Sequence, residues 1–467
     1  MSSLFASLGL SERALQAQQF GLQITQKNIA NANTPSYSRQ RANLIPADPV
    51  TVGSSQLGTG VVVGPVESFR NRFLDYRITQ EQQFKGEFSS KSSALDEVES
   101  FLNSSDSRGL DAALASFFNS FSSLANTPED ITLRQQVLVR AEELGQQFGR
   151  VYDKIQNLQM LQNRAVDDTV KEINFITSGV ADLNARIAAA QALKSTDEPT
   201  LRDQRQELVD RLAGLVDFSY FETDTGMFTI LTRRGSPLVE SDQSHPMQTA
   251  FSANGRSLLV QLDGVDITPN IASGELGGTL QVRDTILAGY LKSLDDTAAA
   301  LISEVNAQHA LGSDYSGTQG GDFFIPFTQP VPGSNEGAAK SIVVAIADPK
   351  LIAAASLTGG PGSNLNAQAL AGIRDRKLPA LGSASLEQNY ANFLFKVGAD
   401  SRLATDGLNT QDAILLQLQN QRDTFSGVSL DEEAVNIIRY QKAYESTARF
   451  MQVVNGLTDE ILRLVGT

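Results

Sequence analysis

Residues 1–35 read MSSLFASLGLSERALQAQQFGLQITQKNIANANTP, and the spacing of four apolar positions within them decides the fold. Leu8, Leu15, Leu22 and Ile29 recur every seventh residue, which keeps them on one seam of an α-helix. Leu4 and Phe5 extend the seam toward the start, and Gln16, Gln18, Gln19, Gln23 and Gln26 flank it. So narrow a stripe fits a coiled-coil seam better than the wide apolar face of a core helix. The helix is expected to stop near Asn31. Asparagine tolerates the left-handed backbone that ends helices, and Pro35 forces Thr34 into an extended geometry.

The other end of the chain carries a matching signal. Ser429-Leu430-Asp431-Glu432 is a capping box, in which Ser429 accepts from the Glu432 N–H and the Glu432 carboxylate reaches back. Asp431, Glu432 and Glu433 also complement the helix dipole. Leu430, Ile437, Tyr444 and Met451 then recur every seven residues, with Ala434 and Ala448 beside them. Val454, Leu457, Ile461 and Leu464 continue the stripe. Four buried seam residues contribute ~6–12 kcal/mol gross. Ordering about thirty residues costs on the order of 1.5 kcal/mol each. Either terminal helix therefore needs a partner helix, supplied by the opposite terminus or by neighbouring copies. Both are expected to order fully only on assembly.

Between these ends the pattern alternates. Tyr37 to Phe69 reads as strands and turns, including a short glycine-bounded strand over Gly58–Gly64. Phe73 to Ala192 is helical, with Leu110, Leu114, Phe117, Phe121 and Leu124 on one helix. Thr127-Pro128 fits an N-cap and first turn for the next, whose periodicity runs from Leu133 through Leu158 and on through Val166 to Ile187. Phe218 to Leu280 is β-rich, with turn signals at Asp224-Thr225-Gly226 and Asp263-Gly264. Helix returns from Asp284 to His309. Gly312–Gly382 is rich in Gly, Pro, Ser and Ala, with one strand expected at Ile342–Ile346. From Leu386 the chain is helical again, broken near Ser426-Gly427.

The expected fold is mostly α with β-rich insertions (α+β): long coiled-coil-like helices from both termini form a base from which β structure projects. Residues 1–40 and 428–467 form the terminal pair. Residues 41–215, 283–312 and 383–427 form a long-helix domain with some strands, and 216–282 with 313–382 a β-rich outer domain.

Composition narrows the chemistry. The 467 residues carry a net charge of −15, which disfavours nucleic acid as a partner. With no cysteine, disulfides, thiol catalysis and thiolate metal sites are excluded. Two histidines, His245 and His309, cannot build a three-histidine metal site. No apolar run approaches the ~20 residues of a membrane span, so no membrane insertion is expected. The first thirty residues lack the character of a cleaved secretory signal, so the chain is expected to be soluble and cytoplasmic, or exported by another route.

Gly58, Gly60 and Gly64 do not match a phosphate loop. The carboxylates Asp96, Glu97 and Glu99 read as a solvated helix face, and His309 as a histidine stabilised by a helix end or exposed at the surface. Arg39, Arg41, Arg70 and Arg72 form a basic cluster, read either as strand-face charges with local acidic partners or as pairs between copies. No catalytic or cofactor-binding residues are indicated.

The stretch Asn28-Ile29-Ala30-Asn31-Ala32-Asn33-Thr34-Pro35-Ser36-Tyr37-Ser38-Arg39-Gln40-Arg41 resembles the flagellar axial-protein family. Its fuller form through Tyr37-Ser38-Arg39-Gln40 is similar to the hook-associated members. Leu201-Arg202-Asp203-Gln204-Arg205 with Leu208, Val305-Asn306 with His309, Gly312 and Phe323-Phe324, and Ser426 to Ala434 with Tyr440-Gln441-Lys442-Ala443-Tyr444 follow in the same order. Ser36 stands where the family usually has glycine.

The resemblance implies a structural, non-enzymatic subunit joining hook to filament, secreted through the flagellar type III channel without a cleaved signal and located outside the cell. It implies contacts through Leu8, Leu15, Leu22 and Ile29 on the first helix and through Leu430 to Leu464 on the last. The motif residues Asn31, Asn33, Thr34, Pro35, Tyr37 and Arg39 lie between. Implied partners are copies of itself, the hook protein, the second hook-associated protein (FlgL type) and a flagellar export chaperone (FlgN type). The competing readings are another axial protein (hook or rod), a secreted adhesin, or a two-carboxylate glycosidase.

Overall fold

Asn31 closes the first helix. Its side-chain amide donates to the Lys27 carbonyl at 2.9 Å, and its own carbonyl accepts from Thr34 N–H. That helix, α1, spans Ser2–Ala30. The computed structural model describes residues 2–34, 36–52, 55–102, 109–193 and 197–465. Pro35 of the motif lies outside them, as does the side chain of Leu464.

Four strands follow: β1 (Gln40–Pro46), β2 (Val50–Val52), β3 (Ser55–Leu57) and β4 (Val61–Ser68). β1 pairs antiparallel with β4, and β2 with β3. The β1–β4 ladder slips between Ala42 and Leu44, where β4 carries Gly64-Pro65. A Cβ at Gly64 would sit 2.6 Å from Ile45, and proline cannot donate to a ladder, so a bulge forms there. Ala42 and Val66 pack on Ile24 of α1, with Phe20 and Leu44 around them.

Next come α2 (Arg72–Leu102), α3 (Leu110–Asn126) and α4 (Ile131–Ala192). Thr127 ends α3; the N-cap of α4 is Asp130, whose carboxylate accepts from Thr132 and Leu133 N–H. An ionised cap satisfies two first-turn donors where the threonine would satisfy one. The two periodic runs belong to one helix of 62 residues. α5 (Glu198–Leu215) leads into two small antiparallel sheets. β5 (Phe218–Glu222), β6 (Phe228–Thr232), β7 (Pro237–Glu240) and β8 (Gln243–Ser244) lie in that order. So do β9 (Met247–Phe251), β10 (Leu258–Leu262) and β11 (Val265–Asp266).

α6 (Gly274–Gln281) continues through a π turn, Val282–Ile286, into α7 (Leu287–His309). The segment after it holds β12 (Gly312–Ser313), β13 (Ala355–Ser356) and α8 (Leu365–Ala371). Ile342–Ile346 is not a regular strand. It makes one bridge, Phe324 with Val344, flanked by Ile325 N–Val343 O and Ala345 N–Phe323 O bonds of 2.9 Å. Burial of both phenylalanines against Phe117 bends the chain away from a longer ladder. α9 (Leu386–Ser426) and α10 (Leu430–Val465) complete the chain.

Two cores result. The first joins the end of α2, all of α3, the first half of α4, α7, α8 and the start of α9. The second joins the other half of α4 to α5, α6 and the sheets β5–β8 and β9–β10. Residues 313–382 contribute Phe323, Phe324, Ile352 and Leu370 to the first core, not to the β-rich unit with which the sequence groups them. The fold is mixed α plus β, with long helices at both termini.

Candidate assembly surface

α1 and α10 pack against each other most closely at Gly21 and Tyr440, positions that the seven-residue seams do not include. On α1 the buried residues are Ser11, Ala17, Gly21, Ile24, Thr25 and Asn28; Gly21 faces Tyr440 of α10, and Ile24 and Asn28 face β1. A Cβ at Gly21 would lie 2.6 Å from the Tyr440 ring, so glycine sets how closely the two helices approach. On α10 the buried line is Glu433, Tyr440 and Val454, with Thr447 half-buried. Leu8, Leu15, Leu22 and Ile29 are half-buried at the edge of the contact.

The expected α10 seam is more exposed. Ile437, Met451 and Ile461 are half-buried, Val454 is buried, and Leu430, Tyr444 and Leu457 are exposed. Beyond this seam Val435, Ile438, Phe450 and Val453 also stand in solvent, at 48–65% exposure. A search for one heptad misses this second stripe. Its signal is the three-residue spacing of Val435–Ile438 and Phe450–Val453.

The loop between α1 and β1 ties the helices to the rest. Asn28 is buried, donates to Gln40 O at 2.8 Å, and accepts from Gln40 N–H at 3.0 Å and from the Tyr37 hydroxyl at 2.8 Å. Burial pushes the Tyr37 hydroxyl above its usual range, with the Asp203 and Glu433 charges adding to the shift. Asn33 and Thr34 are exposed. Ser36 has φ = 67°, the left-handed geometry that favours glycine. Lys27 Nζ reaches Thr200 at 2.7 Å, and Ser38 N–H donates to Asp203 at 3.2 Å.

Arg39 holds both termini. Its Nε donates to Glu433 and its Nη1 to Glu432, while its backbone N–H donates to Ser426 O at 2.9 Å. The capping box is thus half made. Ser429 Oγ accepts from Glu432 N–H at 3.4 Å, but the Glu432 carboxylate turns to Arg39 instead of reaching back. The other basic residues also find partners within the chain: Arg41 with Glu67, Arg70 with Asp75 and Asp203, Arg72 with Glu222. Within the chain this favours local pairing for the basic cluster.

His309 is fully buried, not at the surface. Its Nδ1 meets Gly321 O at 2.7 Å, and its Nε2 accepts from Ala353 N–H at 2.8 Å. Burial lowers its pKa, so the ring is neutral and donates from Nδ1. Among the described residues no three His, Asp or Glu side chains gather as a metal site, and no helix is long and apolar enough to cross a membrane.

The sequence aligns end to end with known proteins. It is 30% identical over its whole length to flagellar hook-associated protein 1 of Bacillus subtilis, covering 99% of that chain. The chain belongs to the flagellar hook-associated protein 1 family. Flagellar hook-associated protein 1 of Escherichia coli is 24% identical over 96% of this chain and 98% of its own. Residues 95–324 match the flagellar hook-associated protein FlgK helical domain, and 419–464 the C-terminal region of flagellar basal body rod FlgEFG proteins. The flagellar hook junction protein FlgK of Burkholderia pseudomallei shares the fold, with a TM-score of 0.66 at 17% identity over 75% of this chain and 100% of that one. The family's proteins are structural parts of the flagellum, consistent with a chain that is not an enzyme.

Proposed function

We propose that this chain is the subunit that joins the hook to the filament, assembling with copies of itself as a ring or short helical layer. The observation that carries the reading is the second stripe of α10. Val435, Ile438, Phe450 and Val453, with Leu457 of the first seam beside them, lie in solvent on a helix whose inner face α1 already occupies. Full burial of five such side chains is worth on the order of 10 kcal/mol gross. Copies related by a heterologous contact would supply that cover repeatedly. The hook protein on one side and the second hook-associated protein on the other are the neighbours this reading requires. Arg39 and the motif around it then set the angle between the terminal pair and the long helices.

Export through the flagellar type III channel, with a chaperone holding α10 beforehand, fits the same apolar stripe, which needs shielding before assembly. The terminal pair would reach its full order only in the assembled layer.

Deletion of the gene tests the reading. Expected are hooks of normal length without attached filaments, and filament subunits lost to the medium. Normal filaments in the deletion strain would overturn it. The likeness of 419–464 to rod proteins supports a second reading, another axial position, for which deletion would stop growth before the hook is complete.

A further inference from the structure

The loop at 31–39, the end of α9 and the start of α10 meet the long helices around a cleft of about 700 Å³. Several carboxylates meet the Arg70, Gln206 and Arg422 side chains that line it. Asp75 comes from α2, and Asp203 and Asp210 lie seven residues apart on one face of α5. Arg70 lies 3.3 Å from Asp75 and 3.8 Å from Asp203, and Arg422 lies 4.0 Å from Asp210 and 3.7 Å from Asp423. Two guanidinium groups thus face four carboxylates, at 3.3–4.0 Å. The nearby cations are committed elsewhere: Arg39 to Glu432 and Glu433, Arg202 and Arg205 to Glu222, with Arg202 also on Glu198. Tyr37 faces Asp203, and Tyr220 faces Asp75 and Asp210.

Asp203 Oδ2 accepts the Ser38 N–H, and Gln206 donates to Asp210 at 2.9 Å. Asp203 Oδ1 is buried without a hydrogen bond, and so is the hydroxyl of Ser426, which lines the cleft. These orphaned atoms border the seat on which the terminal pair rests.

We propose that this joint is a proton-dependent latch: proton uptake by Asp203 and Asp210 tightens the seat of residues 31–39 and of the α9–α10 corner, and proton release loosens it. A protonated Asp203 keeps an acceptor for Ser38, and gives up only the long contact between Oδ1 and Arg70 at 3.8 Å. It also removes one charge from a cluster in which carboxylates outnumber guanidiniums. Burial already pushes both acids up to about 6, against the weaker pull of Arg70 on Asp203 and of Gln206 and Arg422 on Asp210. Each of these two acids therefore binds more protons in the folded chain than in the unfolded one between about pH 4 and 7, and the joint strengthens as pH falls through 6. The latch does not depend on which neighbours the chain has.

Hydrogen exchange of the full chain between pH 5.5 and 8 tests it, with rates corrected for intrinsic exchange. Protection of residues 28–40 and 426–440 should fall tenfold or more over that range. The D203N/D210N chain should keep high protection that varies far less with pH, the remainder coming from Asp75, which burial also pushes up. D210N alone, which removes no backbone contact, should halve the slope and guards against misfolding of the double variant. D412N, whose carboxylate pairs with Lys85 at 2.8 Å on the α2–α9 surface, should leave the slope unchanged. A wild-type slope of zero or opposite sign, or an unchanged slope in D210N, overturns the proposal.

Discussion

Arg39 Nε lies 2.8 Å from Glu433 Oε1, across 394 positions of sequence. The Glu433 side chain is 2% exposed and this guanidinium is its charge partner, so the contact fastens the first turn of α10 to the loop that follows α1. Breaking one side of a buried pair strands the other charge, which typically costs 3–5 kcal/mol.

Arg39→Ala should therefore loosen α10 more than Glu433→Gln does, because the first strands a charge and the second only an uncharged amide. Protease sensitivity near Ser429 reads the difference. Equal effects would mean that the pair contributes little.

Gly21→Ala should weaken the terminal pair despite the higher helix propensity of alanine, worth up to about 1 kcal/mol. The new methyl must displace a buried aromatic ring that belongs to the rigid contact. The combination with Tyr440→Leu should recover much of the loss. Protection of α1 amides checks both.

Ser36→Gly should stabilise the loop by about 1 kcal/mol, since the residue sits at φ = 67°. A thermal melt of the purified chain would show it as a small rise. No change would mean that the serine side chain offsets its backbone strain.

His309 should make the segment 312–356 acid-labile. Protonating Nε2 would cost its bond from Ala353 N–H, with Arg134 adding repulsion and Asp314 and Asp322 partly opposing it. A histidine whose folded pKa lies below its unfolded value stabilises fully above about pH 6.5 and less as pH falls. Exchange in 312–356 should thus quicken on acidification, opposite in sign to the joint at 31–39. His309→Gln should flatten the dependence.

Phe450→Asp with Val453→Asp should leave the isolated chain folded, because both side chains stand in solvent. Incorporation into the flagellum should fail. Motility of the variant strain separates the two effects, and wild-type swimming would remove these residues from the contact surface.

Much of this architecture is legible in the sequence because helices announce themselves by period. α1 ends where Asn31 says it does, and α10 begins beside Ser429. The closest contacts of the helix pair and its loop are not legible, because Gly21, Asn28 and Glu433 carry no apolar side chain to mark them. Their roles come from close approach, from a hydrogen bond to a strand edge, and from an ion pair to a distant loop. The strand at Ile342–Ile346 fails for a related reason: tertiary burial of Phe323 and Phe324 outweighs local β preference. His309 sits at a helix end as its position suggests, but nothing local reveals that residues 321 and 353 close over it.

The single helix α4 lends Val137 through Leu158 to one core and Val166 through Ala181 to the other. At about 1.5 Å per residue it runs some 90 Å as one spar without a flexible break. Torque applied at either core reaches the other through continuous backbone hydrogen bonds, with no slack hinge in which rotation could be lost.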